Sequence, residues 1–221
     1  MCNLYSQTRA QDAMRQLFSG QEILDSLGNL PPQPEIYPDQ QAPIVRAGTS
    51  GGLEFAMARW GLPTPPQYLV GRKVDRGVTN VRNAISPHWR RWLGRGNRCL
   101  VPLTSFAEPR GAGLGNAWFS HVRGAPMFFA GIHVPGWTSV RKLKDGETTD
   151  DLFAFLTTVP NTEVAAVHPK AMPVIVTHPS EWKIWLEADW REARLLQRPL
   201  PDESLMMEDG GTTADPSGTR G

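Results

Sequence analysis

Short apolar runs bounded by turn residues constrain the fold of this chain more than any other feature of its sequence. They follow one another after residue 40 and are rich in β-branched and aromatic residues: PIVRAG, LEFAMARWG, RCLVPLTSFAE, AWFSHV, PMFFAGIHV, DLFAFLTTV and AMPVIVT. Each run is too short for a helix, and no regular long helices separate them, so a doubly wound parallel sheet is disfavoured. We therefore predict an α+β fold, with a mixed, mostly antiparallel sheet or a partly closed β-barrel flanked by helices.

Three segments predict helices beside this sheet. In SQTRAQDAMRQLFSG the apolar residues recur at helical spacing, with Ser6 or Thr8 available as the cap. SPHWRRWLG has Ser86 as its cap and Pro87 in its first turn, and SEWKIWLEADW has Ser180 as its cap. PPQPEIYPDQQAP predicts an irregular loop, because repeated prolines remove backbone donors.

Composition is consistent with one domain followed by a short tail. The 221 residues are 40% hydrophobic and include eight Trp and eight Phe, which is enough apolar surface to build a core. We place this domain at residues 1–200. Residues 201–221 are acidic and small with few aromatic anchors, so we expect a disordered tail. No signal peptide is evident and no apolar run approaches membrane-spanning length, so we expect a cytoplasmic protein.

Metal binding is not indicated. The two cysteines, Cys2 and Cys99, lack the paired spacing that holds zinc, and the five histidines are scattered. The sequence also contains no glycine-rich phosphate loop and no dinucleotide fingerprint. We therefore expect neither a metal nor a small-molecule cofactor.

One segment concentrates positive charge. Residues 72–98 contain eight Arg or Lys and a single acid, Asp75, which gives the segment a charge of +7 in a chain whose formal net charge is +1. Such a block is often only a solvated surface. Here the arginines are interleaved with Trp89 and Trp92, and this combination suits phosphate contact together with base stacking. The segment therefore favours nucleic acid as a partner.

A cysteine at the second position offers distinctive chemistry. If Met1 is removed, Cys2 carries a free α-amine with a pKa of about 7.7–8 beside a thiol with a pKa of about 8.5. The amine can condense with an aldehyde to give an imine, and the thiol can then close a five-membered thiazolidine ring. The same residue could instead attack an amide carbonyl, as in N-terminal-nucleophile hydrolases. A terminal cysteine alone is more often part of a frayed end.

Three further residues could serve such a cysteine. Asn80 in TNVRN is a neutral donor and acceptor, Glu108 ends the run LTSFAEP, and His168 lies between two apolar runs in AAVHPKAMPVIV. Together they could orient the amine, move protons and polarise a sugar oxygen. Each also has an ordinary structural explanation, as a turn asparagine, a surface charge at a strand end and a core histidine.

Taken in order, these motifs resemble the SRAP family, the SOS response-associated peptidases or abasic-site-processing proteins. The resemblance begins with MCNLYS, continues through ARWGLP, TNVRN, RCLVPLTSFAEP and FLTTVPN, and ends in HPKAMPVIV, so it spans about residues 1–200. It implies a sensor of abasic sites in single-stranded DNA that crosslinks itself to the ring-opened sugar through a thiazolidine on Cys2. Autocatalytic removal of Met1 and lyase activity on abasic DNA are implied as well.

The resemblance also implies roles for individual residues. Asn80 matches the asparagine that orients the terminal cysteine and the sugar, and Glu108 matches the active-site glutamate that accepts a proton from the amine. His168 matches the histidine that assists sugar-ring opening and release of the adduct. The residues that match the family's DNA contacts are Arg82, Trp60, Pro38 and Thr157, with Lys170 in the basic position after the histidine.

Three motifs depart from the family pattern. Many members begin Cys-Gly-Arg, whereas this chain has Asn3 and Leu4, so the phosphate contact of that arginine is absent or supplied elsewhere. The common Asn-Ala-Arg-x-Glu motif is NVRNA here, with Ala84 in place of the glutamate. Lys170 keeps a positive charge where many members have arginine, but it loses the bidentate phosphate geometry.

Two other functions remain open from the residues themselves. The first is an N-terminal-nucleophile cysteine amidohydrolase, which would turn over an amide without DNA. The second is a non-catalytic single-strand-binding module, which would bind in a salt-sensitive manner without Cys2 and form no covalent product. For the favoured function we expect a monomer that acts on abasic single-stranded DNA and has no membrane partner.

Overall fold

The computed structural model describes residues 2–48 and 51–209, and strands dominate it. The strands are β1 (Tyr5–Gln7), β2 (Ile23–Asp25), β3 (Gln33–Ile36), β4 (Gln41–Ala47), β5 (Leu53–Trp60), β6 (Asn80–Val81), β7 (Arg98–Leu103), β8 (Ser105–Pro109), β9 (Asn116–His121), β10 (Met127–Val140), β11 (Glu147–Thr158), β12 (Met172–Pro173), β13 (Ile175–Val176) and β14 (Leu205–Asp209). The α-helices are α1 (Gln11–Gln16), α2 (Pro87–Arg90), α3 (Thr162–Ala165), α4 (Pro179–Glu187) and α5 (Trp190–Ala193). Single 3-10 turns occupy Pro66–Tyr68, Arg95–Asn97 and Arg194–Leu196.

Five strands close into a ring. The larger sheet has the order β12-β11-β10-β7-β4-β5-β2, and β5 also pairs in parallel with β11, where Trp60 lies opposite Phe153. The ring therefore runs β11-β10-β7-β4-β5 and returns to β11, and its other pairings are antiparallel. The predicted α+β fold with a mostly antiparallel, barrel-like sheet is confirmed.

A second sheet brings the start of the chain onto the barrel. Its order is β14-β9-β8-β1-β3, and Tyr5 of β1 lies opposite Phe106 of β8. The apolar run RCLVPLTSFAE forms two strands: β7 belongs to the barrel and β8 to this second sheet. Between them, the Thr104 amide donates to the Ser6 carbonyl at 2.8 Å.

Two hydrophobic cores lie on opposite faces of the barrel strands. In β11 the residues alternate, so that Leu152, Ala154 and Leu156 belong to one core and Phe153 and Phe155 to the other. The first core joins the barrel to the helices. The second contains residues of both sheets, and Cys2 belongs to it.

Aromatic edge-to-face contacts define the second core. The ring centroid of Tyr5 lies 5.2 Å from that of Trp60, 5.4 Å from Phe129 and 6.3 Å from Phe155, and each pair is close to perpendicular. Such pairs contribute about 0.5–1.5 kcal/mol beyond the area they bury. The strand that follows Cys2 is therefore anchored by tight packing, and Cys2 is not part of a frayed end.

The predicted helices form, but their caps differ from the prediction. α1 starts after Ala10, because Ser6 is used in β1. α4 is capped by the His178 side chain, which accepts the amide of Ser180, so Ser180 is not the cap. Ser86 does precede α2, but its side chain makes no capping hydrogen bond.

Two segments are more regular than the sequence predicted. The proline-rich stretch includes β3, and Pro34 is accommodated because β3 pairs only with β1 at the edge of its sheet. The prediction of a disordered tail is wrong for Leu205–Asp209, which form β14 along β9. Residues 210–221 lie outside the described residues.

Candidate active site

The start of the chain is held beside β8, which carries Glu108. The pairing of β1 with β8 continues toward the N-terminus, because the Ala107 amide donates to the Leu4 carbonyl at 2.9 Å. This continuation brings Cys2 into the core beneath β8, where both Cys2 and Glu108 are fully buried. The negative charge of Glu108 is one of the influences on the Cys2 thiol, which places the two side chains in one electrostatic environment.

The Cys2 thiol is protonated in this environment. Burial raises its pKa strongly, and the nearby Glu108 carboxylate raises the pKa further. Its Sγ donates a hydrogen bond to the Leu4 carbonyl at 3.4 Å. A thiol in this state needs a proton acceptor before it can act as a nucleophile.

Asn80 fixes the backbone of Cys2 from the other side. It lies in β6, which pairs in parallel with β11, and its Nδ2 donates to the Cys2 carbonyl at 2.9 Å. The same amide nitrogen donates to Thr79 Oγ1 at 2.8 Å, and that hydroxyl donates to Asn3 Oδ1 at 3.4 Å. Among the residues that the structure describes, the buried Oδ1 of Asn80 has no hydrogen-bond partner.

Glu108 and His168, both predicted site residues, lie close together in the structure. The two side chains approach to 3.7 Å between His168 Nδ1 and Glu108 Oε2. Burial raises the pKa of Glu108, so this carboxyl holds a proton more readily than an exposed one. His168 Nδ1 donates to the Ala171 carbonyl at 2.8 Å, which leaves the lone pair of the neutral ring on Nε2. The carboxyl that shares the electrostatic environment of Cys2 thus has the His168 imidazole as a neighbour.

A buried arginine secures the loop that leads to Asn80. Arg141, which is 5% exposed, donates to the carbonyls of Gly61 and Asp75. Gly77 passes close beneath it with φ of +75°, and a Cβ there would lie 2.9 Å from the Gly61 Cα, so only glycine fits. The Asp75 carboxylate accepts the amides of Thr64 and Gly77. The position of Asn80 is thus set by a loop with little freedom.

Three of the predicted DNA contacts lie at the surface around this site. Arg82 is exposed two residues after Asn80, and its guanidinium donates to the Thr158 carbonyl. Pro38 is half-buried in the turn after β3, and Lys170 is exposed two residues after His168. All three are accessible to a ligand.

The other two predicted DNA contacts are buried. Trp60 is fully buried and Thr157 is 1% exposed, so neither side chain can touch DNA in this conformation. Trp60 instead supports the site from within, because its indole Nε1 donates to the Thr79 carbonyl at 3.0 Å. The motif that contains Trp60 therefore has a positioning function, and the prediction of direct contact is corrected for both residues.

The basic segment is also only partly available to a ligand. Trp89 and Trp92 are each 7% exposed and belong to the first core, so the expectation that they stack on bases is wrong. Arg98 is fully buried and donates to the carbonyls of Leu93, Trp185 and Ala188. The remaining basic residues of the segment are exposed: Arg72, Lys73, Arg76, Arg82, Arg90, Arg91 and Arg95.

Sequence reasoning missed Thr79 and Arg141. Thr79 precedes Asn80 directly, and a hydroxyl next to a predicted catalytic amide is a signal that could have identified it. Arg141 is 61 positions from Asn80 along the chain and belongs to no recognisable motif, so only the folded structure shows its contribution. Within residues 2–48 and 51–209, no group of His, Cys, Asp or Glu side chains could hold a metal ion, and no helix is long and apolar enough to cross a membrane.

Comparison with known proteins identifies relatives over nearly the whole chain. Residues 1–209 match the family model described as SOS response associated peptidase (SRAP). A protein from Bordetella bronchiseptica has a similar structure, with a TM-score of 0.66 and 22% identity over 93% of this chain and 98% of its own. A protein from Bacteroides thetaiotaomicron gives 0.71 and 20% over 93% and 90%, and a phage-related protein from Bordetella bronchiseptica gives 0.66 and 20% over 94% and 93%. No curated protein matches the chain significantly.

Proposed function

This chain belongs to the SRAP family, and from that premise we propose that it captures abasic sites in single-stranded DNA as a covalent adduct on Cys2. One observation carries the proposal: the Asn80 amide donates to the Cys2 carbonyl, while Glu108, which shares the electrostatic environment of Cys2, pairs with His168. The site thus combines a held cysteine with proton-transfer groups. Removal of Met1 would add a primary amine to it.

The proposed reaction has two bond-forming steps. The α-amine of Cys2 attacks the aldehyde carbon of the ring-opened deoxyribose, and loss of one water gives an imine. The thiol sulfur then adds to the imine carbon, and the imine nitrogen takes up a proton as the thiazolidine ring closes. This order of steps suits a buried thiol whose pKa is raised, because the sulfur need not be ionised until the imine carbon is in place.

Glu108 and His168 have complementary tasks in these steps. Glu108 accepts a proton from the amine and returns it to the departing hydroxyl, and its raised pKa makes it a better proton acceptor than an exposed carboxylate. Protonation of Glu108 also removes a negative charge that opposes thiolate formation at Cys2. His168 assists opening of the sugar ring and, in the reverse direction, release of the adduct.

Two further activities belong to the same proposal. Autocatalytic hydrolysis of the Met1–Cys2 bond would account for the word peptidase in the family's description and would expose the amine. Lyase activity follows from the imine, which acidifies the neighbouring carbon and permits β-elimination of the phosphate. Arg82, Pro38 and Lys170 contact the strand in this proposal, and Trp60 and Thr157 act from beneath the site.

A denaturing gel tests the proposal. Purified protein is incubated with an oligonucleotide that contains one abasic site, and Cys2→Ala is compared with Cys99→Ala, which removes the other buried thiol. We expect a shifted band with the wild type and Cys99→Ala but not with Cys2→Ala. A band of equal intensity with Cys2→Ala would exclude this chemistry. Turnover of a small amide without any DNA adduct would instead favour the amidohydrolase.

A further inference from the structure

Exposed basic residues without ion-pair partners are concentrated next to Asn80. Within the described part of the chain, the following side chains make no ion pair with any carboxylate: Arg72, Lys73, Arg76, Arg82, Arg90 and Arg91. Some basic residues elsewhere on the barrel are neutralised, as Arg46 is by Glu54 and Asp151. The positive field of the segment is therefore available to an external anion.

Basic side chains from this set line two adjoining depressions, and the first of these also contains Asn80. The first, of about 440 Å³, is lined by Asn80 and extends past Arg76 to Arg72. The second, of about 370 Å³, also includes Arg72 and continues to Lys73 and Arg91. Both depressions are lined by Thr64, Leu69, Arg72 and Val74, so they adjoin one another. We call their combined surface the basic track.

The single acid along the basic track does not cancel its charge. Asp75 is 8% exposed, and its carboxylate accepts the Thr64 hydroxyl at 2.5 Å and amide at 3.1 Å, and the Gly77 amide at 2.8 Å. These bonds turn the carboxylate toward the loop backbone. Among the charged groups that line the two depressions, an anion would therefore contact mainly guanidinium and ammonium groups.

A third depression, near the start of the chain, has a lining without charge. It is lined by Asn3, Leu4, Tyr37, Pro38, Pro109 and their neighbours, and no charged side chain lines it. Leu4 packs with Ala107 and Trp118 instead of reaching a phosphate. Of these three depressions, only the two that form the basic track have basic side chains in their lining.

We propose that the phosphodiester backbone on one side of the lesion lies along the basic track, with Arg72 and Arg76 in its near part and Lys73 and Arg91 in its far part. The inference rests on the proposed function, because it takes the nucleotide at Cys2 as the origin of the strand. A continuous strand fits better than a free nucleotide, since the cations span two depressions and a mononucleotide would use only one.

The size of the effect follows from counterion release. For single strands, the logarithm of the binding constant changes by about 0.7 per phosphate contact for each tenfold change in salt. One contact therefore contributes about fivefold in affinity at 0.1 M salt relative to 1 M, and two contacts contribute about 25-fold. Loss of Lys73 and Arg91 should also reduce the salt slope by about 1.4.

The test compares Lys73→Gln/Arg91→Gln with a matched control, Arg123→Gln/Arg191→Gln. The control removes two exposed positive charges that line neither depression. Equilibrium binding is measured from 0.05 to 0.5 M salt, using undamaged strands and strands that contain a tetrahydrofuran analogue of the abasic site. These lesion strands are extended by one nucleotide at a time, on the 5′ or on the 3′ side.

We call Lys73→Gln/Arg91→Gln the far-track variant. We expect about 25-fold weaker binding at 0.1 M salt for this variant and little change for the control. We also expect wild-type affinity to rise with extension on one side of the lesion only, and this rise to shrink in the far-track variant. Equal salt slopes in the two variants, or equal gains from extension on both sides, would overturn the basic track. Saturation by a mononucleotide that displaces long strands completely would do the same.

Two further measurements keep the result interpretable. Arg91 lies 3.9 Å above the Trp92 ring, so its loss can affect packing; Lys73→Gln alone leaves that contact in place and should give about a fivefold loss. Covalent capture is scored separately on a denaturing gel. A Cys2-dependent adduct with unchanged salt slopes rejects the track but not the function, whereas track-dependent binding without any adduct rejects the function alone.

Discussion

Replacing Asn80 with alanine tests whether its amide orients the reacting residue. Its Nδ2 donates to the Cys2 carbonyl at 2.9 Å and to Thr79 Oγ1 at 2.8 Å, and the side chain is 7% exposed. A hydrogen bond of this kind contributes about 0.5–1.5 kcal/mol net, so the loss of two should lower the free energy of unfolding by about 1–3 kcal/mol. In a chain of this size, each kcal/mol corresponds to about 2–4 °C in Tm.

The rate of adduct formation should suffer more than stability does. Without the amide, the Cys2 carbonyl loses this hydrogen bond, and misplacement of a reacting group by about 1 Å can cost about 100-fold in rate. That factor corresponds to about 2.7 kcal/mol of activation free energy. Binding of an undamaged strand should be unchanged, because Asn80 is not one of the basic groups that contact phosphate in the proposal.

Asn97→Ala provides the matched control. Its Nδ2 donates to the His133 carbonyl at 2.9 Å, a bond of the same type and length outside the site. Both variants are measured by thermal unfolding and by time courses of adduct formation with protein in excess over abasic strand. We expect stability losses in both variants and a selective loss of rate in Asn80→Ala. Equal rates in the two variants would refute the assigned role of the amide.

Three further predictions concern side chains that differ in burial. Glu108→Gln should greatly slow adduct formation. Because burial raises the pKa of Glu108, ionisation of this carboxyl destabilises the wild-type fold as pH rises through that pKa. The Tm of Glu108→Gln relative to that of the wild type should therefore increase from pH 4 to pH 8. A Tm difference that stays constant over this range would contradict the prediction. Arg98→Met should lower the free energy of unfolding by at least about 3 kcal/mol in urea titrations, since three backbone carbonyls lose a charged donor, but should leave the salt slope of DNA binding intact. Arg82→Gln should lower the free energy of unfolding by about 0.5–1.5 kcal/mol, because the hydrogen bond to the Thr158 carbonyl is lost. It should also weaken strand binding at 0.1 M salt about fivefold, and an unaltered affinity would remove Arg82 from the interface.

The strands were largely predictable because their apolar runs are short and sharply bounded. What the sequence could not show is where the chain leaves one sheet for another. RCLVPLTSFAE is continuous in composition, yet Thr104 separates a barrel strand from a strand of the second sheet. Proline in PPQPEIYPDQQAP likewise predicted a loop, because its compatibility with a strand depends on that strand lying at an edge.

Residue type alone did not predict which side chains near the site are exposed, or which distant residues meet there. Cys2 and Asn80 are 78 positions apart, and the bond between them depends on the pairing of β6 with β11, which no local pattern encodes. Tryptophans next to arginines suggested a base-stacking surface, but Trp89 and Trp92 pack inward. Alternation of aromatic and basic residues is equally compatible with a core helix that has a charged outer face, and tertiary packing decides between the two.

The mass of the intact covalent product tests the proposed bond most directly. Protein and an abasic strand are incubated, treated with or without borohydride, and analysed by mass spectrometry under denaturing conditions. The proposed chemistry predicts a product equal to the chain without Met1 plus the strand minus one water, unchanged by borohydride because a thiazolidine contains no C=N bond, and absent with Cys2→Ala. A product that retains Met1, or one that gains two hydrogens on reduction, would contradict ring closure through Cys2.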